Sequence, residues 1–163
     1  MRQEVYNKLT SYIIENQNQF YRLAFSYAHN KEDALDIVQN AVCKALDHYG
    51  TLKNTDALKT WFYRILVNES SYFLKKNRKE IAAGEEAYAE IPYHEKGYEP
   101  TDDLYDEINR LDADVQTIIK LRFFEELSLK EIAEVTGMNL NTVKAKLYRG
   151  LKALKQNIEE EDI

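Results

Sequence analysis

A short basic stretch near the end of the chain carries side chains that could bind nucleic acid. Between Asn139 and Lys155 there is no acidic residue, and the cations of this stretch are Lys144, Lys146, Arg149, Lys152 and Lys155. Lysine and arginine donate hydrogen bonds to phosphate oxygens and, inside the major groove, to guanine edges. Lys144 and Arg149 are the two expected to reach guanines or phosphates. The chemistry of this stretch is therefore that of a helix that docks on DNA.

A helix-turn-helix is predicted to position these cations. Ser128, followed three residues later by Glu131, forms a capping box that marks the start of a first helix. Gly137 supplies the permissive backbone of a tight turn, and Asn139 is placed to cap the second helix. The second helix is expected to present Thr142, Lys144, Ala145, Tyr148 and Arg149 to the major groove. Lys146, Lys152 and Lys155 are expected to point to solvent as phosphate contacts, which add affinity without sequence information.

The alternative interpretation of the basic stretch is a surface helix with solvated lysines. Against it, the small residue Ala133 occurs where two helices would cross closely, and Val143 and Leu147 occur where the second helix would turn inward. The small residue, the two inward apolar residues, the capping box and the glycine all occur at the spacing that a tight helix pair needs. We therefore expect docking on duplex DNA.

The formal net charge of -6 argues against a nucleic-acid partner, but it is an average over unlike segments. Acidic residues outnumber basic ones heavily between residues 81 and 114, where both prolines lie. The chain holds only two prolines and five glycines, which favours long helices. The predicted fold is all-α: two small helical domains, residues 1–80 and 102–163, joined by an acidic flexible linker, residues 81–101.

Helical spacing of apolar residues predicts the elements of the first domain. One or two helices are expected from Val5 to Ala28, and Asn30 is expected to cap the next, which ends near Tyr49–Gly50. Its predicted inner face is Ala34, Leu35, Val38, Ala41, Val42, Ala45 and Leu46. A polar loop, Gly50 to Thr55, leads to a long helix whose predicted inner face is Ala57, Leu58, Trp61, Phe62, Ile65 and Leu66. In the second domain the predicted helices are Asp102–Leu111, Asp114–Phe124, Leu129–Thr136 and Leu140–Gln156.

Several function classes are not expected. No apolar run is long enough to span a bilayer, and the N-terminus lacks a signal core, which favours a cytoplasmic protein. The single cysteine, Cys43, lies at an apolar helical position and is expected to be buried, so neither a disulfide nor a zinc site is predicted. His29, His48 and His94 are scattered, and no phosphate-binding glycine loop occurs. We expect no enzyme, no cofactor and no metal.

The end of the chain resembles a known family. The string LSLKEIAEVTGMNLNTVKAKLYRGLKAL is similar to the C-terminal domain of bacterial RNA polymerase sigma factors of the extracytoplasmic-function (ECF) group. In that family this domain recognises the upstream promoter element, so the resemblance implies that Lys144, Ala145, Tyr148 and Arg149 face the bases. A similar ending occurs in response regulators of two-component systems, and the first half of the chain decides between the two families.

The first half resembles two further parts of the same family. The string KEDALDIVQNAVCKAL is similar to the helix that docks on the clamp helices of RNA polymerase, which implies polymerase contacts at Asp36, Ile37, Val38, Gln39 and Asn40. Without the resemblance, Asp36, Gln39 and Asn40 would be a solvated helix face. The string KTWFYRILVNESSYFLKKNRK is similar to the helix that melts and reads the downstream promoter element.

The residues expected to contact the downstream element are Tyr49, Gly50, Trp61, Arg64, Asn68, Tyr72, Lys75 and Lys76. Trp61 has two interpretations, a core residue or a platform for an unstacked base. The sequence departs from the family pattern where Tyr72 replaces a common aspartate and where Leu111-Asp112 replaces the usual Leu-Pro. The first departure bears on base preference, and the second bears only on a helix start.

The resemblance implies an alternative sigma factor that binds core polymerase through the clamp helices and the flap, recognises promoter DNA and serves a stress or cell-envelope regulon. It also implies an anti-sigma partner, often membrane-bound. A conventional helix-turn-helix regulator is the alternative, and it would bind a promoter without polymerase. A protein that only blocks another regulator is a third hypothesis, and the all-cationic second helix argues against it.

Overall fold

A computed structural model describes residues 2–82 and 100–161, and every described element is helical. The chain divides into two compact units, residues 1–93 and 94–163, which confirms the predicted all-α fold with two helical domains. The bounds predicted for the linker, 81–101, remain a prediction. Its residues 83–99 lie outside the described part of the chain, and described helices enter it at both ends. Among the described helices, none has the length and hydropathy needed to cross a membrane.

The described part of the first unit, residues 2–82, contains four α-helices: α1 (Arg2–Glu15), α2 (Gln17–Ala28), α3 (Lys31–Asp47) and α4 (Leu58–Ala82). Two 3-10 turns, Tyr49–Thr51 and Thr55–Ala57, occupy most of the segment between α3 and α4, where the sequence predicted a polar loop. Val5 to Ala28 forms two helices rather than one, with Asn16 between them. Asn30 caps α3 as predicted, since its Oδ1 accepts a hydrogen bond from Asp33 N at 2.9 Å.

An aromatic cluster forms the core of the first unit. The ring of Phe20 on α2 lies 4.5 Å from that of Phe62 and 5.5 Å from that of Tyr63, both on α4. These three side chains are almost completely buried. Aromatic pairs at such distances contribute beyond the area that they bury, so α2 and α4 are held by their largest side chains.

The predicted inner face of α4 was partly wrong, because the buried face is rotated about the helix axis from the predicted one. Tyr63 and Val67 are buried, whereas Ala57 is exposed and Trp61 and Ile65 are half-buried. Leu58, Phe62 and Leu66 are buried as predicted. Both α2 and α3 pack against α4. The buried stripe along α4 is therefore wider than it would be if α4 had a single neighbouring helix.

The predicted inner face of α3 was also partly wrong. The residues of α3 that are buried are Ala34, Ile37, Ala41 and Ala45. Leu35 is 48% exposed, and Cys43 is exposed rather than buried. The small alanine side chains let α3 approach its neighbouring helices closely. The face that carries the alanines is therefore buried, and the larger side chains on either side of it are not.

The second unit contains α5 (Pro100–Asn109), α6 (Ala113–Ile119), a π-helical turn (Lys120–Phe124), α7 (Leu129–Thr136) and α8 (Leu140–Glu161). The helix predicted from Asp114 to Phe124 is thus α6 continued by the π-turn. Asp112, where the family pattern has proline, is the N-cap residue of α6. The core comes from every element, for example Ile108, Ile119, Leu121, Ile132 and Val143. Within the unit α8 packs against α5, α6 and α7, most extensively against α6.

Candidate nucleic-acid interface

The helix-turn-helix has the local geometry that its sequence predicts. Ser128 Oγ accepts a hydrogen bond from Glu131 N at 3.1 Å, and Glu131 Oε1 accepts one from Ser128 N at 2.8 Å. This reciprocal capping box starts α7. Gly137 has a φ of 77° and donates its N–H to the carbonyl of Ala133. Asn139 Oδ1 accepts from Thr142 N at 2.8 Å and so starts α8.

The outer face of α8 is free of core packing. Val143 is completely buried and Leu147 is 8% exposed, so these two residues anchor the helix as predicted. The exposed residues of the predicted DNA-contacting set are Lys144, Ala145, Tyr148, Arg149 and Lys152, and Thr142 is half-buried. Tyr148 is 72% exposed, which is unusual for a large aromatic side chain in a packed unit. The arrangement is a cationic surface with one aromatic ring at its centre.

Lys146 differs from the other cations of α8. Its side chain is only 25% exposed, and its Nζ lies 3.0 Å from Asp114 Oδ2 at the start of α6. The sequence predicted Lys146 as a solvent-facing phosphate contact. In the structure it joins α8 to α6.

Gly150 was missed by the sequence-based prediction. A Cβ at this position would lie 2.5 Å from Val115 Cγ1 and 2.8 Å from Ile119 Cδ1, closer than packed carbon atoms come. Gly150 therefore lets α6 lie directly on α8. The signal was present, because glycine in the middle of a helix weakens that helix and commonly marks a close approach.

A buried lysine, Lys120, stands at the junction of α6 and the π-turn. Its Nζ donates to Asn109 Oδ1 at 2.9 Å and to Gln116 Oε1 at 3.0 Å, so it joins the end of α5 to α6. Burial lowers the pKa of Lys120 well below its ordinary value, because desolvation disfavours the charged ammonium. No pattern in the sequence distinguishes this lysine from a surface one.

In the first unit, exposed polar residues form a stripe along α4. Arg64, Asn68, Tyr72 and Lys76 follow one another at intervals of four and are all exposed, as is Lys75. Tyr72 is 63% exposed. Trp61 is half-buried, so its burial does not distinguish a core role from a role as a platform for an unstacked base.

A cavity of about 380 Å³ lies between the segment before α4 and the first turn of α1. Tyr49 and Gly50 are in its wall, together with Asn54 and, from α1, Arg2 and Val5. The ring of Tyr49 is held edge-on against that of Tyr6 at 5.4 Å. Gly50 has open space where a Cβ would be. The predicted loop residues are thus brought together around a concavity.

The predicted polymerase-docking set on α3 is only partly on the surface. Asp36, Gln39 and Asn40 are exposed and Val38 is half-buried. Ile37 is 3% exposed and belongs to the core of the unit, and its contact with polymerase stays a prediction.

Residues from the predicted polymerase-docking set on α3 and from the predicted downstream-element set on α4 line one groove. This groove between α3 and α4 has a volume of about 330 Å³, with Asp36 and Asn40 on one wall and Tyr72 and Lys76 on the other. An ion pair between Lys44 on α3 and the buried Glu69 on α4 crosses between the same helices. The groove thus lies between helices that are held at a fixed spacing.

Both halves of the chain match known protein families. Residues 13–80 match the family model of sigma-70 region 2, and residues 101–154 match that of sigma-70, region 4. RNA polymerase sigma factor SigV of Bacillus subtilis (strain 168) is 43% identical over 155 residues, which cover 95% of this chain and 93% of SigV. ECF RNA polymerase sigma factor SigW of the same organism is 27% identical over 161 residues, which cover 88% of this chain and 85% of SigW.

Solved structures show the same fold. The sigma factor RpoE from Bartonella quintana, solved with the anti-sigma factor NepR, aligns with a TM-score of 0.76 at 22% identity over 92% of this chain and 96% of RpoE. CnrH, solved with the cytosolic domain of CnrY, aligns with a TM-score of 0.70 at 18% identity over 93% of this chain and 88% of CnrH. With both sigma regions present in order and a relative of this identity along nearly its whole length, the chain belongs to the RNA polymerase sigma factors, in the extracytoplasmic-function group.

Proposed function

We propose that this sigma factor divides promoter recognition between its two units, with residues 1–80 docking on core polymerase and capturing the downstream element and residues 102–163 reading the upstream element. The observation that carries the proposal is the outer face of α8, where cations and one tyrosine are exposed while the inner face, with Val143 and Leu147 among its residues, packs into the unit. A helix whose inner side is fully used for packing presents its outer side rigidly to the major groove.

At the upstream element, Lys144 and Arg149 donate to guanine edges or to phosphates, and Lys152 contacts a phosphate. Tyr148 and Ala145 lie between them and contact base edges or thymine methyl groups. Thr142, at the start of α8, completes the set near the backbone. Lys146 is a member of this set whose ammonium is already bound to Asp114.

At the downstream element, the stripe on α4 follows the strand and the cavity beside Tyr49 and Gly50 accepts an unstacked base. Arg64, Lys75 and Lys76 supply the positive charge that the backbone requires, and the rings of Tyr72 and Tyr49 supply stacking surface. Asn68 can donate and accept hydrogen bonds from its position on the same stripe. Trp61 is half-buried beside it and serves as either a core residue or a platform.

Core polymerase docks on the exposed side of α3. Asp36, Gln39 and Asn40 present one carboxylate and two amides at helical spacing, which suits a polar partner surface such as the clamp helices. Val38, half-buried, adds apolar contact area at the edge of this side. The flap contacts the second unit. These are binding roles only, and we assign the chain no reaction of its own.

Anti-sigma control is part of the proposal. The Bartonella quintana structure contains an anti-sigma factor bound to its sigma factor, and the fold shared with it supports a partner of the same class here. Such a partner, often membrane-bound in this group, would hold the chain until a stress or envelope signal releases it. Function in the cytoplasm follows from the polymerase partner.

Run-off transcription tests the proposal. Purified core polymerase is given fragments of the source genome, with and without the full-length chain, and new discrete start sites that require the chain are expected. The charge reversal Asp36→Lys should abolish those starts, and Asp47→Lys on the same helix should leave them. The absence of new starts, together with tight binding of the chain alone to a promoter duplex, would establish the conventional regulator instead.

A further inference from the structure

One ion pair fixes a cation of α8 to a neighbouring helix. Lys146 Nζ donates to Asp114 Oδ2 at 3.0 Å, and the exposed fraction of the side chain is 25% for the lysine and 58% for the aspartate. Lys146 therefore lies along the flank of α8, while the carboxylate stands in solvent beside it. Asp114 is in the first turn of α6, where the helix dipole stabilises a negative charge.

The position of the pair on α8 decides what it can do. Lys144 and Tyr148 are each two residues from Lys146, which places them about 200° around the helix from it. Arg149 is three residues from Lys146 and so lies on the same flank. A DNA strand contacted by Arg149 would therefore run beside the Asp114–Lys146 pair.

We propose that Asp114 withholds Lys146 from the DNA backbone and so limits the number of phosphate contacts that α8 makes. A phosphate on this flank must displace a carboxylate that is already 3.0 Å from the ammonium, and the same carboxylate repels the phosphate. The pair is neutral as a unit, so α8 carries one phosphate-binding cation fewer than its sequence suggests. The inference rests on the proposed function, because it requires α8 to lie in the major groove.

The salt dependence of DNA binding measures this number. Each phosphate contact adds about 0.9 to the magnitude of the slope of log affinity against log salt, independently of base sequence. The probe is a fluorescein-labelled duplex of mixed sequence, bound to the full-length chain in about 50 to 200 mM KCl and followed by fluorescence anisotropy.

Asp114→Asn should free Lys146. We expect tighter binding at low salt and a slope steeper by about 0.9, which is an additional loss of roughly 3.5-fold in affinity across that salt range. Lys146→Gln alone should leave the wild-type slope unchanged. In the Asp114→Asn background, Lys146→Gln should return the slope to the wild-type value, because the double variant no longer has the lysine that Asp114→Asn would free.

Two further variants separate this inference from the function on which it rests. Asp112→Asn removes the same charge from the same end of α6, at a residue whose side chain makes no cap hydrogen bond, and should leave the slope unchanged. Lys152→Gln, at the exposed residue proposed to contact a phosphate, should flatten the slope by about 0.9. If Lys152→Gln has no effect, α8 does not face DNA and the proposed function fails. If Lys152→Gln flattens the slope but Asp114→Asn does not steepen it, or if Lys146→Gln alone flattens it, only the withholding role is wrong.

Discussion

Individual cations on α8 have different roles that follow from what each side chain touches. Lys144 and Arg149 are exposed, whereas Lys146 is bound to Asp114. Lys120, elsewhere in the same unit, is buried and donates to two side-chain amides. Residue type alone does not distinguish a DNA contact from a structural lysine. The neighbours of each ammonium do, and each assignment therefore has its own test.

Alanine at Lys144 or at Arg149 should weaken binding to an upstream-element duplex by about 1–3 kcal/mol if the residue reads a base, because a bidentate contact to guanine is lost. Association with core polymerase should not change. Competition assays with duplexes substituted at each base pair would show which position loses its preference. Lys8→Ala, which removes an exposed charge from α1, is the control, and equal binding by wild type and variant would remove the base-reading role.

Lys120 makes the stability of the second unit depend on pH. Because burial lowers its pKa in the folded state, the unfolded chain binds more protons between that lowered value and the ordinary value of 10.5. Stability contributed by this site therefore rises with pH through that window and is constant above it. Lys120→Met should lose this dependence. The check is the difference in Tm between wild type and Lys120→Met at successive pH values, and a difference that does not vary with pH would contradict the buried state of Lys120.

At the scale of elements, local signals predicted more than long-range ones did. The capping box of α7, the left-handed Gly137 and the Asn30 and Asn139 caps were all predictable, because each depends on residues within four positions of one another. The burial of Ile37 was not predictable from its own segment, because it depends on how α3 packs against its neighbours. The Asp114–Lys146 pair joins residues 32 apart in sequence, and no local pattern encodes it.

The close contact of α6 with α8 depends on Gly150. Gly150→Ala should destabilise the second unit by about 1–2 kcal/mol, because overpacking against Val115 and Ile119 costs more than the roughly 1 kcal/mol that alanine adds to helix propensity. Urea denaturation of the full-length chain measures the loss. Val115→Ala removes the nearer clashing atom and should restore part of the stability in the double variant. A Gly150→Ala protein at least as stable as wild type would show that α6 and α8 are not held this closely.

At the scale of the whole molecule, one groove in the first unit is lined by both the proposed polymerase-docking residues and the proposed strand-capture residues. The Asp36 and Asn40 wall is proposed to meet the clamp helices, and the Tyr72 and Lys76 wall is proposed to follow the separated strand. Because the Lys44–Glu69 pair ties α3 to α4, docking on one wall fixes the position of the other. On this proposal, a polymerase-bound chain would present the α4 wall to DNA in a defined place.

Substitutions on the two walls of the groove should therefore impair different steps. Asp36→Lys should weaken association with core polymerase by about tenfold or more, since the reversed charge faces a partner surface arranged for a carboxylate. Tyr72→Ala should leave that association unchanged and reduce open-complex formation, because a stacking surface worth about 1–3 kcal/mol per base is lost. Pull-down of core polymerase measures the first effect, and permanganate reactivity of unpaired thymines in the holoenzyme–promoter complex measures the second. If Tyr72→Ala weakened polymerase association as much as Asp36→Lys did, the two walls would form a single polymerase surface, and strand capture would have to lie in the cavity beside Tyr49.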